Sequence, residues 1–226
     1  MIGERMVLEK FCEVVGDVFP KHPGIREGEF QFEQCFNHRE FWDNLCNIKT
    51  IDVETIVLPF LNKWRCRLSR TCVSKLSLAL QNTEQLLGPL RKLNIEDLDT
   101  LGAIQNASSG TSQFSCIENA FKNIQEVKAG RRSVGFSATS KILHMAIPEL
   151  FVMCDAAIRD KYGCADNAAG YINFVLRMGL IARHLIAQAN GNKQTILTCS
   201  RWQGRTLAHL MDNYNYTMFT LGKQGL

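Results

Sequence analysis

The chain is poor in several features that would have named a class outright. Only five prolines occur in 226 residues, which excludes collagen-like and proline-rich architectures. Its nine cysteines are odd in number and none is paired as Cys-x-x-Cys. A secreted disulfide framework and an iron–sulfur loop are therefore not expected. Long apolar runs are missing as well. The longest, Phe174 to Ala189, is interrupted by Arg177, Arg183 and His184, so no membrane span is predicted. Met1 to Lys10 is charged and has no apolar core, so no secretory signal is expected. The Walker loop, Gly-x-Gly-x-x-Gly, His-Glu-x-x-His and Gly-x-Ser-x-Gly are all absent, leaving those site types unsupported. The expectation is a reduced, cytoplasmic protein whose cysteines are small buried side chains, with no metal and no cofactor.

What is present is helical periodicity. Val7, Leu8, Phe11, Val14, Val15 and Val18 share one face at three- and four-residue spacing. Pro20 and Pro23-Gly24 are expected to end that helix, and Glu29 to Glu33 alternates like a short extended segment. Helices are expected from Asn37 or His38 to Ile48, after Asp52, over Ser69–Leu80 and Thr83–Leu90, and after Asn94. Ser115 with Glu118 reads as a capping box. A helix from near Ser137 ends before Pro148, Asp155 caps the next, and Gly163 ends it. Tyr171–Ala189 and Ser200–Asp212 complete the set, and Asn213 to Tyr216 is expected to be irregular. The fold class is all-α: a single unit over 1–226, two helical lobes around a cleft, divided near 106–113.

Charge is unevenly distributed. Lys plus Arg number 26 and Asp plus Glu 22, a net +4. No acid lies between Glu54 and Glu84, whereas Lys63, Arg65, Arg67, Arg70 and Lys75 do. Such a run can follow a phosphate backbone, with Phe60 or Trp64 beside a base. Equally, Phe60 and Trp64 at i and i+4 suit core anchors under a solvated cationic face.

The stretch from 131 to 163 carries more. Arg131 and Arg132 precede Gly135-Phe136-Ser137-Ala138-Thr139-Ser140-Lys141. A glycine reversal followed by small residues and a helix start suits an anion. This stretch resembles the helix-hairpin-helix DNA glycosylases, with the motif near 121–146. Their hairpin reads Gly-hydrophobic-Gly-x-Lys-Thr-Ala, and an essential Asp follows in a Pro-Val-Asp context. Gly135 and Phe136 match the first glycine and the hydrophobic residue. Ser137 stands at the second glycine, Thr139 at the lysine of bifunctional members, and Asp155 at the catalytic Asp. Met153-Cys154 replaces Pro-Val, and Lys141 lies two residues past the family's lysine. Two helical residues turn about 200°, which points Lys141 away from that pocket.

The resemblance implies a DNA-repair hydrolase with Asp155 as catalytic carboxylate and Lys141 as the second candidate. Arg131, Arg132, Gly135, Ser137, Thr139, Ser140, Lys63, Arg65 and Arg67 would bind nucleic acid. On the residues alone, Asp155 is also an ordinary helix cap, Lys141 a solvated helix residue and His144 a buried structural histidine. Non-catalytic nucleic-acid binding and a protein-interaction scaffold stay open beside the enzyme.

Overall fold

The computed structural model describes residues 7–21, 23–98, 112–130, 132–200 and 204–222. The main helices are α1 (Leu8–Glu13), α2 (Pro23–Phe36), α3 (Arg39–Trp42), α4 (Leu58–Lys63), α5 (Val73–Leu87) and α6 (Gln113–Gln125). They continue as α7 (Phe136–Ala146), α8 (Ala156–Tyr162), α9 (Ala168–Gln188), α10 (Lys193–Leu197) and α11 (Leu207–Asn215). The sheet among the described residues is one antiparallel pair, β1 (Lys128–Ala129) with β2 (Arg132–Ser133). The all-α class holds. The expected division near 106–113 falls largely outside the described residues, which resume at Ser112.

Local chemistry explains most boundaries. Thr206, Asn167, Asp155 and Ser112 each accept a main-chain N–H at a helix start. Ser112, rather than Ser115, is the cap of α6. Pro23 does not end a helix but begins one, because proline lacks only an N–H that a first turn leaves unpaired anyway. The alternation at Glu29 to Glu33 is thus helical: Ile25 and Phe32 point inward while Phe30 is exposed. Pro59 sits at the start of α4, just after a wide π turn over Val53–Val57 that accommodates it. Ser69–Leu90 forms one long helix with short 3₁₀ turns at each end, not two helices. Asn213 to Tyr216 is helical, not irregular.

Helices α5, α6 and α9 pack as a central layer, with α6 touching both others. The turn at Ile95–Asp97 lies against α9 where Gly179 removes a side chain. A Cβ at Gly179 would stand 2.8 Å from the Ile95 carbonyl oxygen. One buried cluster runs continuously from Phe11 to Tyr214. Early and late helices meet within it, with Phe11 stacked on Tyr214 at 5.4 Å between centroids. Cys12 and Cys199 form a disulfide across the same junction. These two cysteines therefore depart from the expectation of free thiols. The other seven are free. No helix among the described residues is long and apolar enough to cross a membrane.

Candidate active site

The reversal expected before α7 is a β hairpin. Gly130 turns it at φ +75° and Gly135 leaves it at φ +79°. Both angles favour glycine, since a Cβ clashes with its own backbone there. The Gly135 N–H is used internally, donating to the Gln125 carbonyl at 3.3 Å. Its carbonyl accepts the Thr139 hydroxyl at 2.8 Å. Ser140 donates to the main chain at Ser137 and Cys154 and accepts the Cys154 N–H at 3.0 Å. Thr139 and Ser140 are fully buried. These two are thus corrected: their hydroxyls staple the 151–154 segment and the hairpin exit to α7 and do not reach a ligand. Ser137 is half-buried and Arg132 exposed. Arg131 lies outside the described residues.

Ser140 fixes Cys154, and Cys154 leads into Asp155. The expected cap is present: Asp155 Oδ1 accepts the Ile158 N–H at 2.9 Å. Its Oδ2 accepts the Thr220 hydroxyl at 2.6 Å. The side chain is half-buried, held from both sides. Gly163 ends α8 in the left-handed region, as read from the sequence.

Lys141 overturns its expectation. From Ala138 to Ala146 every residue of α7 is buried, so the helix has no solvated face on which Lys141 could lie. It is 6% exposed. Among the described residues it has no hydrogen bond and no ion pair. Its electrostatic neighbours are Asp212 on α11, which feels Lys141 more than any other charge, and the thiols of Cys66 and Cys154. Asp155 faces the same Asp212. Burial pushes the Asp212 carboxyl well above the usual carboxylate range, Lys141 opposing and Asp155 reinforcing.

A histidine pair sets this register. His144, one turn after Lys141, brings Nε2 within 3.2 Å of Nδ1 of His209, one turn before Asp212. The Phe151 carbonyl lies 2.5 Å from His144 Nδ1 and can only accept. His144 therefore carries its proton on Nδ1 and accepts from His209 at Nε2. Burial and the facing His209 hold His144 down at about 3. His209 Nε2 stands 3.5 Å from Glu29, an ion-pair distance without a hydrogen bond. Glu29 is in turn held at 2.9 Å by Arg205, which bridges to Glu33. His144 is the structural histidine its apolar surroundings indicated.

The cationic run lies on the surface. Lys63, Arg65 and Arg67 are exposed. Arg65 and Arg67 take positive φ of 61° and 55° without being glycine, a conformation held by the surrounding structure at some cost. Phe60 is core, as the periodicity indicated. Trp64 is half-buried, edge-on to Tyr216 at 5.4 Å, with its indole N–H unpartnered. Tyr216 senses Asp155, Arg65 and Asp212. The turn at Arg70–Cys72 touches strand β1. Thus the 63–72 segment, the hairpin, Lys141 and Asp155 are brought to one region. The sequence reading missed Asp212, His209 and Glu29, while Tyr216 belongs to the polar-aromatic Asn213 to Tyr216 run that could line a pocket or cover the core. A signal existed for two of them: His209 and Asp212 stand three apart, as Lys141 and His144 do. Among the described residues, no three His, Cys, Asp or Glu side chains converge as a metal site.

Comparison with family models, curated proteins and solved structures finds no match for this chain.

Proposed function

We propose that the protein acts on nucleic acid as a base-excision, DNA glycosylase-type enzyme, with Lys141 and Asp155 at its centre. The carrying observation is that Lys141 is 6% exposed and has no hydrogen-bond or ion-pair partner among the described residues, on the same stretch of chain that leads to Asp155. Lysine is rarely so buried unless it is paired. Exposed Lys63, Arg65, Arg67 and Arg132 supply phosphate contacts. A nucleotide rotated out of the stack brings its sugar to the amine. Nζ, once it has given up its proton, attacks C1′ as the C1′–N bond breaks. The bond's electron pair leaves with the base, which takes the proton that the attacking nitrogen now sheds. The C1′–O4′ bond then opens, O4′ takes a proton from solvent, and the nitrogen lone pair forms the Schiff base with C1′. Asp155, fixed by Ile158 and Thr220, stabilises positive charge on the sugar as carboxylates do at other glycosidic bonds. Binding without chemistry is the second reading, favoured by the two hydrogen bonds that already engage both Asp155 oxygens.

The test is a gel assay with duplexes carrying single damaged bases, followed by alkali or by borohydride. Wild type is expected to leave alkali-labile sites and a reduced covalent adduct. Lys141→Gln should lose the adduct, and Asp155→Asn should lose base release by on the order of 100-fold or more. Arg65→Gln with Arg67→Gln should weaken duplex binding and flatten its salt dependence by roughly one unit of slope per cation. Equal or absent scission in wild type and Asp155→Asn would overturn the enzyme reading. Salt-sensitive binding would then leave the non-catalytic one standing.

A further inference from the structure

The chemistry above leaves the Cys12–Cys199 disulfide without a role. It joins residues 187 positions apart and ties α1 to the turn that follows α10. Both half-cystines are half-buried, so a small thiol can reach them from solvent. The other seven cysteines are free, and Cys46 among them is exposed. A chain with that many free thiols suits reducing surroundings, where a disulfide is usually transient or redox-sensing. Weaker ties surround the cross-link. The Leu8 N–H donates to Gln188 Oε1 at 2.8 Å, and Phe11 stacks on Tyr214. A Cβ at Gly16 would stand 2.6 Å from the Cys199 carbonyl oxygen, so the π turn over Val14–Val18 runs close against Cys199.

We infer that this disulfide is a reversible redox clasp: a dithiol opens it, a peroxide closes it, and opening lets α1 and the turn behind it loosen from the later part of the chain. Opening proceeds by thiol–disulfide exchange. One thiolate of the dithiol attacks one of the two sulfurs, the S–S bond breaks, and the sulfur that leaves takes a proton. The second thiol of the reagent then resolves the mixed disulfide. Cys12 and Cys199 are left as thiols and the reagent as a ring disulfide, two electrons and two protons having passed to the protein. Closing uses hydrogen peroxide. One cysteine thiol takes an oxygen from it, giving a sulfenic acid and one water. The other thiol displaces that oxygen as a second water, and the S–S bond forms.

With the bond closed, α1 cannot leave Cys199 whatever happens to its other contacts. With it open, α1 is held by non-covalent contacts such as the Gln188 hydrogen bond, the Tyr214 stack and the buried faces of Phe11, Val14 and Val15. Contacts of that kind open locally without global unfolding. The central layer is held by contacts among α5, α6 and α9 themselves. Loosening is therefore expected over residues 8–19 and 193–199, and not in the layer. It also reaches towards the candidate site. The helix whose Tyr214 meets Phe11 carries His209 and leads into the turn whose Thr220 bonds Asp155.

The experiment is hydrogen exchange with mass spectrometry on the full chain. It compares the oxidised protein, the protein treated with dithiothreitol without denaturant, and the reduced protein after a stoichiometric amount of peroxide. Alkylation in denaturant after an acid quench counts the thiols. Seven are expected when oxidised, nine when reduced and seven again after peroxide, with the changing pair mapped to Cys12 and Cys199. Once reduced, peptides over 8–19 and 193–199 should exchange on the order of 30-fold faster, the lower range of what a cross-link contributes. Peptides within α5 and α9 should be unchanged. Cys12→Ser should match reduced wild type, and if that variant does not fold, reduced wild type carries the same measurement. Four results would overturn the clasp. They are reduction only after denaturant, a peroxide-sensitive pair other than Cys12 and Cys199 or none, unchanged exchange at 8–19 after opening, and equal acceleration throughout the chain. The last would make the bond a general staple.

Discussion

His144 shows how a single buried side chain governs stability against pH. Unfolded, its imidazole titrates near 6.5; folded, burial and His209 hold it at about 3. Between those values the unfolded chain binds a proton that the folded chain refuses. Stability therefore rises with pH across that window and falls on acidification, by about 1.4 kcal/mol per unit for this one group. His209, also buried and lowered, acts in the same direction. His144→Gln keeps a side chain able to bond the Phe151 carbonyl and removes the titration. Urea unfolding from pH 3 to 6.5 should lose a slope of about one proton in that variant. An unchanged slope would place the titrating group elsewhere. At this scale the sequence was partly legible. Asp155 as a cap and Gly135 at positive φ follow from residue type alone. The fate of Lys141 does not, because its angle from Thr139 says nothing of what covers each face. The helix from Phe136 to Ala146 has Lys141 and His144 as its only ionisable side chains.

Between elements, two distant arginines replace the missing cap of α7. Its last turn has no glycine in the left-handed region. Arg39 donates to the Met145 carbonyl at 3.1 Å, and Arg91 donates to that of Ala146 at 3.1 Å and that of Trp42 at 3.0 Å. Arg91 also grips Glu84 through two nitrogens, at 3.0 and 2.6 Å, while Glu84 accepts the Leu45 N–H at 2.8 Å. One planar guanidinium thus joins α3, α5 and α7, a geometry that an ammonium cannot copy. The pair is partly exposed, which tempers its strength. Arg91→Lys should still cost about 1–3 kcal/mol through unpaired carbonyls, read as a lower denaturant midpoint with an unchanged m-value. A cost near zero would show that the clasp is decorative. None of this was visible in the chain, since Arg91 carries no local signal of its partners. The Glu29 to Glu33 alternation was misread for the same reason. Its inward residue, Phe32, packs on His209 at 4.4 Å, and no period within five residues reports such a partner.

Taken whole, the molecule packs early and late parts of the chain together, Phe11 on Tyr214 and Cys12 bonded to Cys199. Glu29 from α2, Lys141 from α7, Asp155 before α8, and His209 and Asp212 from α11 come from four separate stretches of the chain, His209 meeting both His144 and Glu29. The helical class was legible because periodicity and caps are local. The candidate site was half legible: Gly135, Lys141 and Asp155 lie in one stretch, whereas Asp212, at the end of an expected helix, and Tyr216, beyond it, come from far along the chain. The net +4 was too small to guide anything, yet its cations at 63–67 flank Cys66, whose thiol feels Lys141. The most direct measurement of that convergence is reductive trapping on a duplex with one abasic site, followed by peptide mapping of the adduct by mass spectrometry. The adduct is expected on Lys141, lost in Lys141→Gln and reduced as salt rises. Adducts spread over exposed lysines such as Lys63 and Lys75, and unchanged in Lys141→Gln, would contradict an active site at this position.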